Sequence, residues 1–141
     1  MQDIEVSFPG GKRVDAHIGD FVVQTDQPAE LGGNGSAVAP YDLFLASVAT
    51  CAGIYVLGFC QARGLSTDGL ALHQHADIDP ATKLPSRIQL ELRLPVTFPE
   101  KYIAAIVRAA EGCKVKKTLA APPVIEIAAI PAAPSQLARA S

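Results

Sequence analysis

The chain begins with an alternation of apolar and polar positions. Ile4, Val6 and Phe8 are separated by polar residues, Gly10-Gly11 supplies a tight turn, and Val14, Ala16 and Ile18 resume the alternation. A period of two is the mark of a strand with one covered face, so this stretch predicts a β-hairpin. Gly19-Asp20 makes a second turn into Phe21-Val22-Val23, extending the hairpin to an antiparallel meander. From Asp26 to Pro40 the periodicity vanishes in favour of Gly32-Gly33-Asn34-Gly35-Ser36, which reads as a mobile loop. It lacks the lysine and spacing of a phosphate-binding loop.

Pro40-Tyr41-Asp42 then opens a long apolar helix, with proline in the first turn and an acidic residue placed to favour the helix dipole; Gly64 closes it. The run Leu43 to Cys60 approaches the length of a membrane span. It holds Ser47, Thr50 and two glycines and has no basic flanks, so it reads as a helix buried on all sides rather than one in lipid. Asp68 to Ile78 and Ser86 to Thr97 follow as two strands. On the second, Ile88, Leu90, Leu92 and Leu94 share one face, and Gln89, Glu91 and Arg93 share a wet one. Pro99-Glu100 opens a second helix with Tyr102, Ile103, Ile106, Val107 and Ala110 on one stripe, stopped by Gly112. Cys113 to Leu119 predicts a short third helix and Val124 to Ile127 a last strand; the alanine- and proline-rich residues 128–141 form a loosely attached tail. The sum is a single α+β domain over residues 1–141.

Composition narrows the function classes. Hydrophobic residues make up 49% of the 141 and charged ones 18%, less charge than a small monomer usually displays, which points to surface buried in an oligomer. The net charge is −2 and only Lys114, Lys116 and Lys117 cluster, so nucleic acid is not an expected partner. Met1 to Ser7 is polar and alternating, without the apolar core of a signal peptide, and a cytoplasmic location is expected. There, three cysteines suggest transient, catalytic pairing rather than a structural bridge.

Taken alone, Cys51 in mid-helix reads as a small hydrophobe. Cys60, nine residues on, points to the opposite side of the helix, so these two cannot pair. Cys113 follows Gly112 at a helix start and precedes three lysines, a setting that favours thiolate; it reads either as a reactive thiol or as a buried filler. His73, His75 and Asp77 share a strand face and could bind a metal, but they fit the wet side of the sheet better, and no familiar zinc pattern is present.

The stretches Pro40-Tyr41-Asp42-Leu43-Phe44-Leu45-Ala46-Ser47-Val48-Ala49-Thr50-Cys51 and Glu111-Gly112-Cys113-Lys114-Val115 resemble the OsmC/Ohr family, the osmotically inducible and organic hydroperoxide resistance proteins, from about Gly10 to about Ile127. The resemblance implies an OsmC-like fold: an antiparallel sheet, made of the meander, the later hairpin and the final strand, wrapped on a long central helix in an intertwined homodimer. It also implies a thiol peroxidase acting on organic hydroperoxides or hydrogen peroxide. Cys51 would be the peroxidatic thiolate and Cys113 its resolving partner, reset by an external dithiol or lipoyl-type reductant, with no metal or other cofactor. The family's arginine, which helps the buried thiol ionise, would be Arg13. The glutamate that holds it is replaced in this chain by Tyr41-Asp42, one methylene shorter at Asp42. The alternative from another class is a dimer that keeps the fold and binds a small apolar ligand without turnover.

Overall fold

The computed structural model describes residues 3–131. They form two compact units, one comprising the chain up to Phe44 and the segment from Val124 onward, the other Leu45–Pro123.

The first unit holds the expected meander: β1 (Glu5–Gly10), β2 (Arg13–Ile18) and β3 (Phe21–Val23), antiparallel in that order. Gly10 pairs with Arg13, which leaves Gly11-Lys12 as a two-residue loop. Gly11 sits at φ 58° while Lys12 stays at negative φ, and Gly19 repeats this before Asp20. That is the turn chemistry matching the twist of paired strands. Ser7 and Asp15 face each other across β1 and β2 and are buried, whereas Ile4, Phe8 and Phe21 are exposed.

The glycine-rich segment is not the mobile loop its composition suggests. Asp26, 1% exposed, accepts hydrogen bonds from the backbone of Gln27 (2.8 Å), Asn34 (3.3 Å) and Ser36 (3.0 Å) and from the Ser36 hydroxyl (2.6 Å). These donors, the Ser36 hydroxyl foremost, hold its carboxyl at a pKa of about 2. Gly33 is packed so closely that a Cβ there would lie 1.9 Å from the Gln27 carbonyl oxygen. One buried carboxylate thus gathers a loop whose backbone groups would otherwise need water.

Helix α1 (Pro40–Ala62) begins and ends as expected. Gly64 takes φ 63°, its N–H bonds to Gln61 O and that of Leu65 to Cys60 O, closing the helix end. In the second unit α1 lies with β4 (Ala71–Ile78) and β5 (Pro85–Arg93), an antiparallel pair, and with α2 (Ile103–Glu111) and α3 (Lys114–Ala120). Leu72 faces Leu92 and Ala76 faces Ile88 on the inner side of the strand pair, while His73, His75 and Asp77 take the outer side. Val56, Phe59, Cys60 and Ile106 form the core. Gln74 ties the sheet to the helix through its Nε2, which donates to Leu45 O at 2.9 Å.

Two further expectations are corrected. Helix α1 is buried along one stripe (Val48, Ala52, Val56, Phe59, Cys60) rather than all round, because the second unit covers only that side; Ile54 is 59% exposed. The last strand over Val124–Ile127 is not formed: these residues lie outside any ladder, and Val124, Ile125 and Ile127 are exposed. An alternating segment becomes a strand only when an edge is there to pair with it. Residues 132–141, most of the expected tail, lie outside the described residues.

Candidate active site

Cys51 occupies the middle of α1, one position before the buried Ala52, and is half-buried. Cys113 is the N-cap of α3 and is 1% exposed. It follows Gly112, which ends α2 with a backbone N–H bonded to Ala109 O and Ala110 O. The chain thereby turns from α2 into α3 at a single cysteine.

The first turn of a helix presents N–H groups with no partner inside the helix. In α3 these groups go to sulfur. The Lys116 N–H donates to Cys113 Sγ at 3.4 Å, while the Lys117 N–H makes the first bond of the helix itself, to Cys113 O at 3.0 Å. The Val115 N–H, above all, and the Cys113 thiol donate toward the Cys51 sulfur, joined by the Lys114 N–H and the charge of Lys114. Together these donors outweigh burial, which pushes the thiol up, and hold Cys51 below the ordinary range of a cysteine. The two cysteines of the sequence reading are therefore brought together, and the helix start predicted to activate Cys113 acts on Cys51.

Arg13 is differently engaged. Its Nη2 lies 2.5 Å from Asp15 Oδ2, and Asp15 also accepts from the Thr25 backbone at 3.4 Å. This pairing joins neighbours on the same strand face, two residues apart. Asp42 lies in the first turn of α1, where a carboxylate suits the helix dipole. Cys60 is fully buried in the core among Val56, Phe59 and Ile106, in keeping with a packing role. His75 pairs with Asp77 at 3.2 Å on the outer sheet face, and among the described residues no group of three histidine, cysteine or acidic side chains is arranged to hold a metal.

Beside the cysteines lies a cavity of about 400 Å³. Val48 and Ala52 of α1, Leu72 and Leu90 of the sheet, Cys113 and Lys116 are among its lining residues. The lining is mostly aliphatic, with Cys113 supplying a sulfur, Lys116 a cation and Glu111 a carboxylate. Sequence reasoning did not find this space, since it exists only where α1, the strand pair, α2 and α3 converge.

The family model for OsmC-like proteins matches residues 33–128, more than half of the chain, and so includes α1 and both cysteines. The chain belongs to the OsmC-like protein family. Solved structures agree at the level of the fold. A Psychrobacter arcticus protein named for osmotic stress induction and detoxification response superposes with a TM-score of 0.71 at 20% identity, covering 84% of this chain and 88% of the other. An OsmC-like protein from Mycoplasma pneumoniae gives 0.68 at 16% identity, with 86% and 89% covered. The organic hydroperoxide resistance protein OsmC from Legionella pneumophila gives 0.56 at 19%, with 84% and 88% covered. No functionally curated protein matches the chain. The OsmC-like fold of this chain is a soluble one, although α1 is long and apolar enough to cross a membrane by length and composition.

Proposed function

We propose that the protein is a cysteine-dependent peroxidase that reduces organic hydroperoxides, and hydrogen peroxide less well, in defence against oxidative stress in the cytoplasm. The observation that carries this reading is the convergence of the Cys113 thiol and the first-turn amides of α3 on Cys51. The family supports a role in redox or peroxide resistance.

In the proposed mechanism the Cys51 thiolate attacks the outer oxygen of the peroxide. The O–O bond breaks, Cys51 becomes a sulfenic acid, and the alkoxide leaves and takes a proton from solvent. The sulfur of Cys113 then attacks the sulfenic sulfur as its proton passes to the departing hydroxide, which leaves as water. Two thiols and one hydroperoxide give one disulfide, one alcohol and one water. An external dithiol, of lipoyl or similar type, restores both thiols by exchange. The chemistry needs no metal or bound cofactor. The cavity would take the organic group, which favours an alkyl hydroperoxide over hydrogen peroxide because its aliphatic walls gain from displacing water. In this proposal the Cys51 thiolate draws on the first turn of α3, and Arg13 is paired to Asp15.

OsmC-like proteins are typically homodimers, and this chain acts as one in the proposal. Exposed Ile54 and Tyr55 on α1, and Phe8 and Phe21 on the first sheet, are apolar surface such a partner would cover. The same cavity supports a second reading, a dimer that binds a small apolar ligand without turnover.

Peroxide consumption with cumene hydroperoxide and a dithiol donor separates the two. Turnover by the wild type and its loss in Cys51→Ser support the peroxidase. Equal background rates in both proteins reject it and leave the binding reading.

A further inference from the structure

Helix α3 has little to hold it. It is seven residues long, buries none of them, and carries lysines at its first, third and fourth positions. A helix this short is marginal without tertiary support, and cations are disfavoured at the positive end of the helix dipole. What offsets both handicaps is sulfur. Cys113 Sγ caps the Lys116 N–H at 3.4 Å, and the Val115 and Lys114 N–H groups favour the thiolate of Cys51.

We propose that α3 is a redox-gated lid on the cavity, folded while Cys51 and Cys113 are reduced and released when they form a disulfide. This rests on the disulfide chemistry proposed above. Joining the two sulfurs leaves no thiolate-forming group at Cys51, consumes the Cys113 thiol hydrogen and draws the Cys113 sulfur away from its capping position on Lys116. Three lysines then stand at a helix start that has lost its sulfur cap and the thiol that could ionise beside it. Lys116 and Leu119 both line the cavity, so loss of α3 opens one wall. The alcohol product leaves through that opening, and the buried Cys113 sulfur becomes reachable by the reducing dithiol.

The test uses the full chain, with the bond made by diamide, which oxidises dithiols without peroxide chemistry, and verified by mass spectrometry. Amide exchange over residues 114–120 and tryptic cleavage after Lys114, Lys116 and Lys117 are compared in the reduced and oxidised forms. Both are expected to accelerate about tenfold on oxidation, the combined scale of a lost cap and a lost charge–dipole interaction. The peptide carrying Ile106 should keep its protection, and Cys113→Ser, which keeps a capping oxygen and cannot form the bond, should not respond. Unchanged exchange and cleavage in verified disulfide overturn the gate and leave the peroxidase standing. So does a loss of protection that spreads to Ile106, or an equal response in Cys113→Ser. A bond made by diamide but not by cumene hydroperoxide overturns the peroxidase, and faster exchange in that bonded form still supports the gate. Failure of diamide to link Cys51 and Cys113 overturns both.

Discussion

Removing a single N–H from the start of α3 should raise the pKa of Cys51. Lys114→Pro is the suitable change, because proline is well accepted at the first position of a helix. The residue before a proline must be extended, and Cys113 already sits at φ −52°, ψ 131°. The variant therefore deletes the Lys114 N–H and its charge while leaving the backbone path intact. A hydrogen bond to a charged group is worth about 1.5–3 kcal/mol when buried. Cys51 is half-buried and Val115 is the stronger donor, so solvent screening brings the loss to the low end of that range, and the Cys51 pKa moves upward. Lys114→Gln, which removes only the charge, should move it upward by less, since the Lys114 charge is the smallest of the influences on Cys51. The assay is the pH dependence of Cys51 alkylation by iodoacetamide, read on the Cys51 peptide by mass spectrometry. The wild-type profile should lie below that of a free thiol, Lys114→Gln slightly above the wild type, and Lys114→Pro above both. Superimposable profiles for wild type and Lys114→Pro would refute the assignment of the α3 amides to Cys51.

Other outcomes follow from the same structure. Cys113→Ser should complete one peroxide turnover and stop at a Cys51 sulfenic acid, trapped by dimedone; continued turnover with a dithiol would remove Cys113 as the resolving group. Asp26→Asn should lower the melting temperature at neutral pH. The folded pKa of about 2 lies below the ordinary aspartate value, so the stabilisation is fully present above about pH 4 and fades as pH falls toward 2. The gap between the two melting curves should close over that window, and a gap independent of pH would contradict the role given to the carboxylate. Gly33→Ala should destabilise the first unit, since its Cβ would collide with Gln27 O; thermal unfolding checks it. Ile106→Ala, at the fully buried centre of the core, should lose roughly 2–5 kcal/mol in urea unfolding.

The meander, α1, the strand pair and α2 were legible because each carries a period that only one secondary structure satisfies. Gly11, Gly19 and Gly64 mark the ends where positive φ is required. The last strand was not legible, since alternation at Val124 to Ile127 cannot say whether a sheet edge is available. The Asp26 clamp was equally hidden. An aspartate before a glycine-rich run reads as a turn residue, and nothing local reveals that it collects donors as far away as Ser36. For the site, Gly112-Cys113-Lys114 announced a helix start able to favour thiolate. That this start serves Cys51, more than sixty residues earlier, is a tertiary fact of the packing between α1 and α3. The Arg13–Asp15 pair was open to sequence reading, because Asp15 lies on the same strand face two residues on.

The central claim is that Cys51 and Cys113 form one peroxide-reducing pair, and peptide mapping tests it most directly. After one equivalent of cumene hydroperoxide is added to the fully reduced protein under non-reducing conditions, the digest should contain a linked peptide joining Cys51 to Cys113, with Cys60 still a free thiol. Two free cysteines at 51 and 113, or a bond that involves Cys60, would contradict the account.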